Sequence, residues 1–198
     1  GKWHADRLSF NRSFARAENI FFGGMHSYET NGHVSPRLNH YDPEGKYEKT
    51  FIGDKFSSEM FADAAVDYLN KRSKNDKPFF AFVAFTSPHD PRVKHPEYGH
   101  HYNPEDMELP VNFLPQHPFD NGELKIRDEV LLPFPRTEAM MRKDLADYYG
   151  MVSEVDTQIG RIMKVLKEKG ELDNTIIVFA SDNGLAVGRH GLLGKQNL

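Results

Sequence analysis

The sequence contains no cysteine, and this absence excludes several kinds of site at once. Without thiols there is no disulfide framework, and there is no thiolate ligand for zinc or for an iron–sulfur cluster. The absence of disulfides does not by itself fix the compartment in which the protein works.

The chain also lacks an excess of positive charge, since 25 Lys and Arg stand against 29 Asp and Glu. It therefore gives no reason to expect nucleic acid or an anionic membrane surface as a partner. No apolar run approaches the roughly 20 residues that a membrane span requires. There is no initiator Met and no export signal, so we expect an internal piece of a longer protein, with any targeting peptide upstream.

Two continuous apolar runs, 79–86 and 175–180, predict strands that are buried on both faces of a parallel sheet. Each run follows a helical pattern, one over 57–71 and a longer amphipathic one over about 137–169. This repeated order of helix and strand predicts an α/β fold, with part of a mainly parallel sheet flanked by helices.

The stretch 91–135 holds eight of the twelve prolines together with many aromatic residues and histidines. So many prolines exclude long helices and central strands. We expect an ordered, irregular insertion packed over the strand ends of a partial catalytic domain that covers 1–198. Such an insertion could line a sugar-binding cleft or serve only as a structural cover. In the earlier loop region, we expect His33 and His40 at the surface, while His26 is a candidate to reach a ligand.

The strand predicted over 175–180 ends in Ser181, Asp182, Asn183 and Gly184. In open α/β sheets, ligands bind beyond the carboxyl ends of the strands. A carboxylate beside a carboxamide offers hard oxygen ligands that suit Ca²⁺ or Mg²⁺. By itself, however, such a sequence after a strand is more often a simple turn.

Three blocks of sequence, taken together, resemble the sulfatase family within the alkaline-phosphatase superfamily. SDNG is followed by G-x-H-G-x-x-G-K, which ends at Lys195. The chain opens with G-K-W-H, and the run from Phe79 ends in S-P-H at His89. Taken alone, Lys2 and His4 would be solvated residues of a frayed terminus, but the three blocks occur in the order of the family.

The resemblance implies a role for each matching residue. Lys2 and Lys195 would be fixed cations beside the nucleophile, and His4 would be a proton-transfer group. His89 would contact the sulfate and help to protonate the leaving alcohol. Asp182 and Asn183 would bind a divalent metal, usually Ca²⁺, with Mg²⁺ as the alternative.

Two further residues are candidates for binding the substrate. His190 lies in the glycine-rich loop before Lys195 and supplies a cationic donor on a flexible backbone. Arg92 stands where family members commonly have a histidine, and its guanidinium could bind an anionic part of the substrate.

In sulfatases the nucleophile is a formylglycine made from the Cys or Ser of a C/S-x-P-x-R motif, and an aspartate pair completes the metal site. Neither the motif nor the pair is present here, and Ser35-Pro36-Arg37 lacks the required spacing. We therefore expect both upstream of this segment, and we expect the segment alone to be inactive and a poor metal binder. A periplasmic, secreted or lysosomal location is expected from the resemblance alone.

The leading hypothesis is a metal-dependent sulfatase, a sulfuric ester hydrolase acting on a sulfated carbohydrate or small molecule. One alternative is a hydrolase of phosphate or phosphonate esters from the same superfamily. Another is a non-catalytic relative that binds sulfated glycans. The sequence does not indicate the oligomeric state.

Overall fold

The computed structural model describes residues 1–27, 32–73, 76–98, 101–120 and 122–195. These residues divide into two compact units. The first unit consists of Gly1–Pro91 and Val152–Thr175, and the second consists of Arg92–Met151 and Ile176–Leu198.

The first unit contains two small sheets and most of the helices. Its strands and helices, in chain order, are β1 (Lys2–Trp3), α1 (Arg7–Ser13), β2 (Phe21–Phe22), β3 (Arg37–Leu38), β4 (Phe51–Ile52), α2 (Ser57–Lys71) and the later part of α3 (Glu138–Glu168). Strand β1 pairs in parallel with β2, so that Lys2 lies opposite Phe21, and β3 pairs antiparallel with β4.

Short helix α1 begins where Asp6 caps it. The Asp6 carboxylate accepts a hydrogen bond from the Ser9 amide at 2.8 Å, which satisfies one of the free amides of the first turn. On the opposite face Phe10 is buried against Ile20 and Tyr47. Because this aromatic cluster also contacts Trp3, it fixes the segment in which Lys2 and His4 lie.

Helix α2 has the bounds that the sequence predicts. Its apolar face buries Met60, Phe61 and Leu69, and Leu69 packs against Val165 and Leu166 of α3. The prediction for α3 is confirmed to within one residue at each end, because its apolar stripe recurs at the spacing of a helix over its full length.

The second unit is largely irregular. Its core consists of Met141 and Leu145 from α3 together with Val187 and Leu193 from the glycine-rich loop. In the described part of 91–135, the regular structure is one short 3₁₀ helix, Pro104–Asp106.

Neither apolar run forms the strand that the sequence predicts. The 79–86 run accepts a backbone hydrogen bond from the Lys2 amide at the Ala84 carbonyl, 2.8 Å long, but it has no assigned strand, and the side chain of Phe80 is 80% exposed. In 175–180 the side chains of Ile176, Val178 and Phe179 are 94%, 83% and 81% exposed, so burial on both faces is wrong. Such burial requires neighbouring strands, and within the described residues no assigned strand pairs with 175–180.

In the described residues, no helix has the length and apolar character needed to span a bilayer.

Candidate active site

Lys2 and His4 meet at the glycine pair that follows β2. The Lys2 ammonium donates to the carbonyl of Gly24 at 2.7 Å. The His4 ring lies against the same glycine, where an added Cβ would fall 3.0 Å from Nε2. The parallel pairing of β1 with β2 produces this arrangement, since it carries both chains in the same direction towards Gly24.

A cavity of about 680 Å³ opens beside His4. Trp3, Asp6 and Arg7 line it from the chain around α1, and Phe22 and Gly23 line it from β2 and its turn. His4 is exposed, so its imidazole can reach a molecule that enters this space.

His89 lies on the turn after the 79–86 run and is half-buried. Its amide donates to the carbonyl of Thr86 at 3.0 Å, and its Nδ1 lies 3.2 Å from the carbonyl of Asp90. Its own carbonyl is bonded to Nε2 of His33 at 2.9 Å. His33 is fully buried, so the expectation that it lies at the surface is wrong.

His26 is also buried, against Phe21 and His33. Burial, followed by the charges of His33, Lys2 and His89, lowers the pKa of His26 to about 3. His26 is therefore neutral at physiological pH and cannot supply a proton there as an imidazolium ion.

In the second unit, Asp182 and Asn183 lie in an exposed turn. The Asp182 carboxylate accepts from the Asn183 amide at 3.0 Å, and the Asn183 side-chain nitrogen donates to Gly184 at 2.9 Å. The carboxylate and amide oxygens are hard donors of the kind that Ca²⁺ prefers. Within the part of the chain that the structure describes, no group of three or more His, Cys, Asp or Glu could hold a metal ion. A metal role for Asp182 and Asn183 stays a prediction.

Lys195 follows a tight hairpin closed by backbone hydrogen bonds between Ala186 and Gly194 at 2.9 Å and between Gly188 and Leu192 at 2.8 Å. Its ammonium donates to the buried carboxylate of Asp128 at 3.2 Å. The side chain remains 23% exposed, so the cation is held in place but not fully enclosed.

A buried ion pair fixes the same hairpin. The Glu129 carboxylate accepts from the amides of Leu193 and Gly194 at 2.8–3.1 Å and from Arg136 at 2.9 Å. Arg136 in turn donates to the carbonyl of Gly191 at 2.8 Å. Gly191 has a φ of 74° and touches the backbone of Gln116, where a Cβ would lie only 2.3 Å away, so no other residue fits.

The two candidate substrate-binding residues differ in their surroundings. His190 is exposed, and its Nε2 is joined to the Asn112 amide nitrogen at 2.8 Å. Arg92 has a buried side chain, with Nε 3.6 Å from Asp144 and the guanidinium 4.8 Å from the ring centre of Tyr148. A role for Arg92 in binding the substrate stays a prediction. In that role, an anionic group of the substrate would compete with Asp144 for the guanidinium.

The structure thus brings Lys2, His4 and His89 into one unit. Asp182, Asn183, Lys195, His190 and Arg92 lie in the other. Sequence analysis missed the polar residues that support these groups, namely His33, Asp128, Glu129 and Arg136. They are scattered through loops without periodicity, and their partners are backbone groups and side chains of other segments, so no sequence signal indicates them.

The family model and two relatives match nearly the whole chain. A family model described as sulfatase matches residues 1–197. An uncharacterized sulfatase of Schizosaccharomyces pombe is 31% identical, with 93% of this chain and 38% of the relative covered. An ulvan-active sulfatase of Formosa agariphila is 30% identical, with 95% of this chain and 32% of the relative covered.

The fold is similar to that of a solved phosphonate monoester hydrolase from Agrobacterium radiobacter. The TM-score is 0.58 at 28% identity, and the match covers 72% of this chain and 30% of the hydrolase. This likeness confirms the α/β class of the fold, although the sheets of the described residues are small. The chain spans about a third of the length of these relatives. The match over residues 1–197 shows that the chain belongs to the sulfatase family.

Proposed function

We propose that the natural full-length protein carrying this chain hydrolyses sulfate esters. The observation that carries the proposal is the meeting of Lys2 and His4 at Gly24, in the unit that also holds His89. Together with the sulfatase match over the same residues, it supports a site that pairs a fixed cation with groups able to transfer protons.

The charge of the substrate explains the need for cations. A sulfate monoester carries a negative charge that repels an incoming nucleophile. Lys2 is held by the carbonyl of Gly24 in the first unit, and Lys195 is held by Asp128 in the second, so each ammonium group is oriented within its own unit. Such preorganised charge stabilises a transition state because little reorganisation is needed during the reaction.

Proton transfer falls to His4 and His89. The ester oxygen must receive a proton as the alcohol leaves, and an imidazole titrates near neutral pH. We assign this step to the imidazolium form of His89: its Nδ1–H faces the carbonyl of Asp90 at 3.2 Å, and Nε2–H gives its proton to the leaving oxygen, which leaves the neutral imidazole. His4, exposed beside the cavity, then exchanges a proton with the nucleophile.

We also propose that Asp182 and Asn183 supply two oxygen ligands of a divalent cation, Ca²⁺ in preference to Mg²⁺. A bound cation of this kind would polarise the sulfuryl oxygens and lower the pKa of the nucleophile. Both residues are exposed, which leaves room for ligands from elsewhere in the full-length protein. In the full-length protein, Asp182→Ala should weaken the binding of Ca²⁺, as measured by calorimetry. Asp173→Ala, a change at another exposed aspartate, should leave the Ca²⁺ affinity unchanged.

A sulfated carbohydrate is the proposed substrate class. The relative named for its activity on ulvan supports it. In the second unit, a cavity of about 210 Å³ lined by His117, Phe119 and Phe134 lies in and beside the irregular stretch and offers aromatic surface to a sugar ring. A periplasmic, secreted or lysosomal location belongs to the same proposal.

The likeness to a phosphonate monoester hydrolase favours one alternative, a phosphate or phosphonate esterase of the same superfamily. Mass spectrometry of the peptide that carries the nucleophile in the full-length protein separates the two. A formylglycine mass together with turnover selective for aryl sulfate esters supports the sulfatase, whereas an unmodified Ser or Thr together with turnover of aryl phosphate esters favours the alternative. A full-length protein with no nucleophile would instead be a binder of sulfated glycans.

A further inference from the structure

A buried chain of hydrogen bonds lies behind the turn that carries His89. It joins the side chains of His26, Thr86, Ser57 and His33, all of which are buried. Burying a polar side chain costs free energy unless the side chain is hydrogen-bonded. Here each of the four side chains is hydrogen-bonded to the next.

At the His33 end of this hydrogen-bond chain, the contacts define which atom donates and which accepts. The Nε2 of His33 lies 2.9 Å from the carbonyl of His89, and a carbonyl only accepts, so Nε2 carries the proton. In the neutral imidazole, Nδ1 is then the acceptor. It faces the hydroxyls of Ser57 at 3.3 Å and Ser87 at 3.4 Å, either of which can donate to it.

The remaining links agree with this direction. If Ser57 donates to His33, its oxygen accepts from Thr86 at 2.9 Å, and Thr86 accepts from Nε2 of His26 at 3.2 Å. Each hydroxyl then donates once and accepts once. The neutrality of His26 fits its role as the first donor.

His33 is itself anchored to the start of α2. Its carbonyl accepts from the Ser57 amide at 2.7 Å, and its ring is stacked on Phe56 with centroids 5.7 Å apart. The carbonyl of His89 is therefore tied through a single imidazole to the first turn of a 15-residue helix.

We propose that His33 is a positioning residue for His89, an inference that rests on the proposed role of His89 in ester hydrolysis. His33 holds the peptide group between His89 and Asp90, and the chain from His26 holds His33 in the tautomer that can do so. Loss of this contact lets the turn shift, and a displacement of about 1 Å can reduce the rate by about 10²-fold.

The test uses the full-length enzyme with three substitutions. His33→Phe keeps the stacked ring and removes the hydrogen bonds at both ring nitrogens. His33→Gln restores a donor near the position of Nε2. His40→Phe makes the same change at an exposed histidine that stacks on Phe51, and it should leave turnover unchanged.

We expect His33→Phe to lower kcat for the sulfate ester by about 10- to 100-fold with little change in KM. His33→Gln should recover most of the loss. Hydrogen exchange of the peptide spanning 86–91 should be faster in His33→Phe and close to wild type in His33→Gln. Unchanged kcat in a folded His33→Phe enzyme would overturn the inference.

If His33→Phe does not fold, the double variant with Ser57→Ala and Ser87→Ala tests the positioning role of His33 instead. It removes the hydroxyls that face Nδ1, and we expect kcat to fall roughly 2- to 10-fold, as the loss of one net hydrogen bond predicts. Unchanged kcat in this variant would overturn the inference. A wild-type enzyme inactive on every ester would contradict the proposed function instead, and the exchange data would still support or overturn the contact between His33 and His89.

Discussion

At the scale of single residues, sequence and structure carry different information about the candidate site. The motifs identify Lys2, His4 and His89, because each block has a recognisable spacing. They do not identify His33, whose partners are a backbone carbonyl and two hydroxyls in other segments. A residue that acts through the backbone of another has no signature of its own.

His89 is the residue whose removal tests the proton-transfer step. We expect His89→Ala to lower kcat by roughly 10²–10⁴, the range for a general acid or base. His40→Ala is the control, since His40 is exposed and stacks on Phe51. Wild-type turnover by His89→Ala would remove His89 from the mechanism.

Glu154 gives a prediction about pH. Its side chain is fully buried in α3, and burial is the largest cause that raises its pKa to about 7 from the ordinary value of 4.5. The folded state therefore binds the proton more tightly than the unfolded state. This contribution to stability is complete below pH 4.5, is lost as pH rises towards 7, and changes no further above it.

We expect the wild-type free energy of unfolding to fall by up to about 3 kcal/mol from this group between pH 5 and 7.5. In Glu154→Gln this part of the pH dependence should disappear, because glutamine does not titrate. Urea unfolding at the two pH values measures it. An identical pH dependence in both proteins would show that Glu154 titrates normally.

At the scale of elements, the helices were predictable because their pattern is local. Helices α2 and α3 carry an apolar stripe at helical spacing, and their observed bounds lie within one residue of those that the sequence predicts. Strands depend on partners from elsewhere in the chain. The runs 79–86 and 175–180 are apolar enough for a central strand, yet the sequence of a run does not say which strands lie beside it.

The hairpin before Lys195 depends on the buried pair of Glu129 and Arg136. Glu129→Gln leaves the guanidinium buried without its counter-charge, and we expect it to cost about 3–5 kcal/mol of stability. The exposed pair of Lys164 and Glu168 provides the control, because Glu168→Gln should cost less than about 1 kcal/mol.

Chemical denaturation with the fluorescence of Trp3 as probe measures both variants. Equal stabilities would mean that the hairpin does not need the ion pair. If Glu129→Gln is strongly destabilised, the hydrogen-exchange rate of the backbone amides should rise more in residues 186–194 than in α2.

At the scale of the whole molecule, the exposed run Ile176–Phe179 predicts association. Three of its four side chains are more than 80% exposed, and such an apolar, uncharged segment pairs readily with another chain. We expect the 198-residue chain, produced alone, to self-associate as its concentration rises in sedimentation velocity experiments.

Val178→Lys should shift the chain towards monomer, because a charge on this segment opposes pairing. Leu8→Lys, at an isolated exposed apolar residue of α1, should have no effect. A wild-type chain that stays monomeric at all concentrations would show that the exposed run does not mediate self-association.

The fold class and the family are predictable from sequence at this scale, because the motifs stand in the order of the family and the model match spans residues 1–197. The way in which Asp128 holds Lys195 and His33 holds His89 is not predictable, since it depends on loops that no pattern describes.

The central claim is that the site acts on sulfate esters, and a comparison of turnover tests it most directly. The full-length protein is given aryl sulfate, aryl phosphate and aryl phosphonate esters with one leaving group, and kcat/KM is measured for each. Because a sulfatase stabilises the transition state of sulfuryl transfer, the sulfate ester should have the highest kcat/KM of the three. A higher kcat/KM for the phosphate or phosphonate ester would contradict the account and move the protein to the neighbouring class of hydrolases.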